Sequence, residues 1–341
     1  MNKRNYAIIF IIFILLFIMT IFISLIPKPS NIELFSNNND NSEKTERFSI
    51  GLDPNLQLGN FLSCYFYNMA IAFLHNKNYE TTYTVSEDSK SFTKHLPLFV
   101  PLDQNIKKAF KLSGITVESL SEELKQIDDS CLSAWNVLTK ERETFWTIMK
   151  PLANRILKEA LEKANLNRII DSPVIHYRCS DVPFVISEYY HFQKYEYFKN
   201  TLTKIKEQTG IHYNKVYICY CNTHNTDGKK QLACDAYSSS LISYLEKNGY
   251  EVSIKCNTID EDFATLFYAP AVIGTSGSFS FMASFFSDCI FFSSMYDERM
   301  DRHLKNSSGW LINDYTLKHS EVDDYYNTKV VIKSLYSETP R

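Results

Sequence analysis

Positive charge is not in surplus in this sequence: 36 Lys and Arg stand against 39 Asp and Glu, a formal net charge of −3. Proteins that grip nucleic acid neutralise its phosphates with clustered cations, so this balance gives no electrostatic reason to expect such a partner. An anionic ligand would have to be held locally, by a few placed groups. Also missing is Cys-x-x-Cys spacing: the eight cysteines (64, 131, 179, 219, 221, 234, 256 and 289) are scattered, which argues against a zinc site and leaves one or more disulfides open. Cys219 and Cys221 would share one face of a strand, a geometry suited to packing rather than to bonding each other. No Gly-x-Gly-x-x-Gly follows a strand pattern, so a soluble dinucleotide enzyme fits poorly. No internal repeat is present.

What is present is ample apolar material, 45% of 341 residues with 14% aromatic, enough for packed cores in one large or two medium domains. The first feature along the chain is Tyr6 to Ile26, 21 residues without a charge, about 31 Å long as a helix and sufficient to span a bilayer core. Lys3 and Arg4 precede it and Lys28 alone follows closely, which favours a cytoplasmic N-terminus. The run is too long for a cleaved leader and Ile23-Ser24-Leu25-Ile26-Pro27 is a poor cleavage site, so we read a type II signal anchor. Residues 1–5 are then a cytoplasmic tail and 6–26 the transmembrane helix. Residues 28–47, including Asn37-Asn38-Asn39-Asp40-Asn41-Ser42-Glu43-Lys44, read as a polar stem. The folded part, from near Phe48, would lie in a lumenal or exterior compartment; Golgi or endoplasmic reticulum is the expectation, though topology alone does not separate these from the plasma membrane. Asn306-Ser307-Ser308 is a single glycosylation sequon, consistent with a glycoprotein.

From residue 171 the pattern is regular. Strands are expected at Val174 to Arg178, Lys215 to Cys221, Glu251 to Cys256, Ala271 to Thr275 and Cys289 to Ser293. Between them, helices are expected at His191 to Gln208, Lys229 to Lys247, Asp262 to Tyr268 and Phe279 to Phe286. Strands alternating with helices at this spacing predict a parallel, doubly wound, Rossmann-like sheet over 171–300, with 301–341 as a C-terminal extension. The first half, 48–170, predicts a smaller α/β domain with a helical insertion. Its elements are a loop at 51–59, an apolar helix at about 60–75, a loop over Pro97 to Asp103, and helices over Thr116 to Ile127 and Trp135 to Ala164. The two domains would face each other across a cleft, with ligands at the carboxyl ends of the strands.

Three stretches carry candidate chemistry. In PVIHYRCSDVPF, Arg178 stands just past a strand end, where its rigid fork of donors suits a phosphate or pyrophosphate, or else pairs with Asp181 as a structural ion pair. In AVIGTSGSFSFMASFF a strand breaks at Gly274, and Thr275, Ser276, Gly277 and Ser278 lead straight into a helix. Such an N-terminus presents aligned N–H groups to an anion, although a serine cap on a core helix is the plainer alternative. In Leu58-Gly59-Asn60-Phe61-Leu62, Gly59 would permit close backbone approach to a ligand, and Asn60 would cap the following helix or bond a sugar.

In this order the three stretches resemble the fucosyltransferase superfamily that uses GDP-fucose, whose α1,2-, α1,6- and protein O-fucosyltransferases share a fold of two Rossmann-like domains (GT-B). The family's HxRR(G/T)D signature is similar to His176-Tyr177-Arg178-Cys179-Ser180-Asp181. Its acidic residue, helix, strand and serine-rich turn resemble Asp262-Phe263-Ala264 through Ser276-Gly277-Ser278-Phe279-Ser280, and its GLGNQxFQYA-like opening resembles Leu58 to Tyr65. The likeness covers three short motifs between residues 58 and 280. It implies an inverting transfer of fucose from GDP-fucose to a glycan or protein hydroxyl, without a metal or other cofactor. Arg178 would lie on the donor β-phosphate, the turn at Ser276 to Ser280 around it and Asp262 on the nucleoside side, with Gly59, Asn60 and His176 near the donor. Near them in sequence, Asp181 and Glu188 are candidates for the base, and a carboxylate such as Asp181 would equally orient Arg178.

The chain departs from the family where the second arginine of the signature is Cys179, and where an acidic turn after the next strand is replaced by Tyr220-Cys221-Asn222-Thr223-His224-Asn225. A different nucleotide-sugar therefore stays open. So do two other readings: a metal-dependent transferase using Asp260-Glu261-Asp262, and a membrane-anchored sugar-binding protein without turnover.

Overall fold

The computed structural model describes residues 46–53, 56–83, 91–120, 142–179, 193, 195–220, 228–275, 277–293 and 310–312. The expected anchor, the stem up to residue 45 and the sequon lie outside these. Among the described residues no helix is long and apolar enough to cross a membrane.

The chain enters as β1 (Arg47–Gly51), then α1 (Leu58–Leu74), β2 (Asn78–Thr82), β3 (Phe99–Val100), α2 (Gln104–Leu112) and α3 (Arg142–Lys163). β1 pairs parallel with β2, and β2 antiparallel with β3, in a three-stranded mixed sheet. α1 starts two residues earlier than its sequence suggests because Gln57, not Asn60, is its N-cap. It is apolar around most of its circumference and is covered on almost all sides, with Phe61, Leu62, Tyr65, Phe66, Met69 and Phe73 buried; only the core of a larger assembly accommodates such a helix. α2 begins where the Asp103 carboxylate accepts the N–H groups of Asn105 and Ile106. The segment 97–103, expected as a loop, contains β3 and follows a 3₁₀ turn at Phe92–His95. Of the helix expected over Thr116 to Ile127, residues 117–120 are seen as helix and the rest lies outside the described residues.

The second half runs β4 (Val174–His176), α4 (Tyr195–Thr209), β5 (Lys215–Cys219), α5 (Gly228–Lys247), β6 (Glu251–Lys255), α6 (Ile259–Tyr268), β7 (Ala271–Gly274), α7 (Ser278–Phe285), β8 (Ile290–Ser293) and β9 (Trp310–Ile312). All six strands are parallel, in the order β6-β5-β4-β7-β8-β9. Counted within this half, that order is the doubly wound one whose direction of build-up reverses between the first strand, β4, and the fourth, β7. No strand is expected from the sequence beyond Ser293; β9, from within 301–341, adds the edge.

Period-two alternation sorts the strand residues between two layers. Ile175, Val216, Ile218, Ile273 and Phe292 pack toward Phe198, Leu202, Tyr237 and Leu241 of α4 and α5. Val174, Cys219, Val272 and Phe291 belong instead to the core formed with α6, α7, α1 and α3. That second core is continuous with the core of the small sheet, so the two halves share one apolar interior. Among the described residues the doubly wound topology is complete in the second half alone; the first half contributes the mixed sheet and its helices.

Cys179, just beyond β4, is disulfide-bonded to Cys234 of α5, with Cα atoms 5.8 Å apart. Cys64 and Cys256 are also disulfide-bonded, while Cys219 and Cys289 are buried thiols. Closing a loop with a sequence separation of 55 should stabilise the fold by about 4 kcal/mol through lost unfolded-state entropy. We therefore expect Cys234→Ser to lower the free energy of unfolding in urea by up to that amount; an unchanged midpoint would contradict the bond.

Candidate functional site

The reversal point of the sheet lies between β4 and β7, and open α/β sheets bind ligands in the crevice beyond the strand ends there. Two of the three stretches singled out in the sequence end at this point, and the third is packed against it. β4 pairs with β7 up to His176 opposite Gly274. Thr275 then prolongs the pairing: its N–H donates to the His176 carbonyl at 3.1 Å, and its Oγ1 accepts the Arg178 N–H at 2.8 Å. Arg178 is thereby held across the turn that starts α7. A Cβ placed on Gly277 would stand 3.7 Å from Arg178 Cδ and 4.0 Å from its Nη1.

Gly277 is the N-cap of α7, at φ 126° and ψ 148°, a conformation that side-chain-bearing residues rarely adopt. The serine cap considered from the sequence is therefore absent: the cap is a glycine with no side-chain oxygen to offer. Ser278 instead donates its hydroxyl to Asn60 Oδ1 at 2.6 Å, across 218 residues of sequence. Ser280 is fully buried, and its Oγ has no hydrogen-bond partner among the described residues. Ser276, Asp181 and Glu188 lie outside the described residues.

Two expectations are corrected here. Gly59 does not leave room for a ligand. A Cβ on it would stand 2.5 Å from Phe279 N and 2.7 Å from Ser278 Oγ, so the missing side chain lets α1 press on the backbone of α7. Asn60 does not cap α1; it is the acceptor that ties α1 to Ser278.

His176 sits beneath this turn, its ring 5.4 Å from that of Phe279, and Phe279 in turn meets Phe263 edge to face at 5.8 Å. Phe279 is thus part of an aromatic wall. The Nδ1 of His176 is sealed from solvent without a partner among the described residues. Burial first, and then the Arg178 charge, lower its pKa to about 4. A neutral imidazole at neutral pH adds no second positive charge beside the arginine.

Asp262, on α6, is buried beyond the neighbouring strand, β5. Its carboxylate accepts the Asn257 backbone N–H and side-chain amide, each at 3.3 Å, and the thiol of Cys219. Burial raises its pKa and, together with the Asp262 charge, pushes the Cys219 thiol well up. Cys219 is the register partner of His176, so Asp262 stands one strand away from the arginine. The three acids of Asp260-Glu261-Asp262 do not converge. Asp260 accepts from Ser91 at 3.3 Å, Glu261 completes a capping box with Thr258 and pairs with Arg168, and Asp262 turns to Asn257. Helix-start chemistry accounts for this acidic run.

The sequence places Thr275 in the turn before α7 but gives no sign that its hydroxyl accepts the Arg178 backbone N–H. Cys179, which stands where the family signature has its second arginine, is half of a disulfide.

Fold and site together define a doubly wound parallel α/β protein with an arginine and a helix N-terminus meeting at its reversal point. No protein-family model and no curated protein matches the chain. Among solved structures it is similar to an arginine-to-lysine mutant of Arabidopsis thaliana FUT1 in complex with GDP, with a TM-score of 0.34 and 10% identity over 78% of this chain and 74% of that one.

Two outcomes test the geometry. Gly59→Ala should cost about 1–3 kcal/mol of stability, because α1 and α7 must separate to admit the methyl group; a Gly59→Ala protein with an unchanged melting curve would refute the close approach. His176 generates a pH dependence. Above its unfolded-state pKa of 6.5 it is neutral in both states. As pH falls from there to about 4, the unfolded chain takes up a proton that the folded chain refuses, so stability falls. The loss approaches 3 kcal/mol at most, on the order of 1.4 kcal/mol per pH unit. Urea midpoints between pH 7 and 4 should therefore slope less steeply in His176→Asn.

Proposed function

We propose that this protein is a glycosyltransferase that takes a sugar from a nucleotide-sugar, GDP-fucose by preference, and passes it with inversion to a hydroxyl of a glycan or protein acceptor. A membrane-anchored, lumenal enzyme of the GT-B class is the setting that the sequence suggests. The observation that carries the reading is the meeting of Arg178 with the glycine-capped start of α7 at the reversal point of the sheet. Because Gly59 and Asn60 cover the Ser278–Phe279 side of that turn, a ligand would approach from the Gly277 side, where Arg178 lies.

The chemistry asked of these groups is limited. The acceptor oxygen forms a bond to the anomeric carbon as the bond from that carbon to the β-phosphate oxygen breaks. The acceptor proton goes to a base, for which Asp181 and Glu188 are the sequence candidates. Negative charge grows on the leaving diphosphate, and fixed donors aimed at it lower the barrier. Arg178 and the first N–H groups of α7 would supply that stabilisation without a metal ion, and Asp262 would stand on the nucleoside side.

Full-length protein should be stabilised thermally by GDP and GDP-fucose in EDTA, more than by UDP or CMP, and Arg178→Ala should abolish the shift. Loss of this one donor should slow transfer by about 10²- to 10³-fold. Stabilisation by UDP that requires Mn²⁺ would reject the donor assignment. Binding by the protein with no sugar transfer to any acceptor would leave a binding module.

A further inference from the structure

Arg178 is held from two sides through its backbone. On one side its backbone N–H is bound by the Thr275 hydroxyl at 2.8 Å, and Thr275 is 3% exposed. Thr275 also donates its own N–H to the residue two before Arg178, His176, so both ends of the 176–178 step are pinned to one residue of the β7–α7 turn. On the other side the next residue, Cys179, is 4% exposed and covalently tied to Cys234 of α5, on the opposite face of the sheet. β4 itself ends at His176, so beyond it the strand ladder no longer fixes the chain. The side chain that needs the most accurate placement is thus carried on non-strand backbone and braced by one hydroxyl and one disulfide.

We propose that Thr275 and the Cys179–Cys234 disulfide are positioning groups that hold Arg178 on the terminal phosphate of the donor diphosphate. They make the affinity of the site for that phosphate dependent on an oxidised Cys179. The inference rests on the reading of the site as a nucleotide-diphosphate site. The disulfide restrains covalently the backbone directly after Arg178, and so limits how far the arginine can move from the β-phosphate. A valine at 275 keeps the shape of the side chain but leaves the Arg178 N–H without its acceptor. A serine restores the acceptor.

The test compares GDP with GMP, which lacks the β-phosphate, by titration calorimetry on the full-length protein in EDTA. Wild type, Thr275→Val, Thr275→Ser and Cys234→Ser are measured; substitution, unlike a reductant, leaves the disulfides of Cys64 and Cys256 intact. Because both ligands are measured on each sample, a smaller folded fraction cancels from their ratio. Wild type should prefer GDP. Thr275→Val and Cys234→Ser should each shrink that preference by about ten- to hundredfold, the scale of a small misplacement of a binding group, while Thr275→Ser keeps it. If both variants lower stability but keep the wild-type ratio, the two groups are structural and the proposal is overturned. If wild type itself shows no preference for GDP, the diphosphate reading fails and this inference fails with it.

Discussion

The contact between Gly59 and the first turn of α7 governs the rest of the architecture. An α-helix approaches another backbone this closely only where a side chain is absent, and here the absent methyl group would stand 2.5 Å from Phe279 N. The approach brings Asn60 within reach of Ser278 and buries the apolar circumference of α1 against the layer formed by α6 and α7. It also closes one side of the α7 N-terminus, so that the other side alone faces Arg178. One missing Cβ thus sets the joint between the two halves and leaves Arg178 as the neighbour of Gly277 on the other side of the turn.

Electrostatics at the reversal point follow from this packing. Arg178 lies beside an uncharged imidazole, because burial strips His176 of its proton near neutrality. The nearest described acids of α6 are committed elsewhere: Glu261 to its cap and Arg168, Asp262 to Asn257 and Cys219. The positive end of α7 and the guanidinium thus lie together at the reversal point, a placement that suits an anionic ligand in a protein of slightly negative net charge.

Much of the second half was legible from sequence because its signals are local. Val174 to His176, Lys215 to Cys219 and Ala271 to Gly274 are short apolar runs bounded by turn residues, and α4 and α5 end at Gly210 and Gly249, as the pattern indicates. β9 was not legible: three residues separated from the rest of the sheet by a polar stretch have no periodicity of their own and depend on β8 for a partner. β3, two residues long, fails for the same reason. At the site, Arg178 and the Gly277 turn could be found from position and composition. Gly59 and Asn60 stand out locally, but their partners lie more than two hundred residues away, and no local pattern states that a glycine serves a helix crossing rather than a ligand. The disulfide was hidden likewise, since cysteines with a sequence separation of 55 disclose no pairing.

α1 also bears on how the chain acquires its structure. It is synthesised among the first elements of the folded part, yet its cover includes α7, and the Asn60–Ser278 link spans 218 residues. During synthesis a helix apolar on nearly every side must therefore wait, without its final partner, while most of the chain emerges. Long-range contacts of this kind slow folding and leave sticky surface exposed in the interval. The same helix that knits the two halves of the finished protein is thus the segment for which a chaperone has the longest work to do.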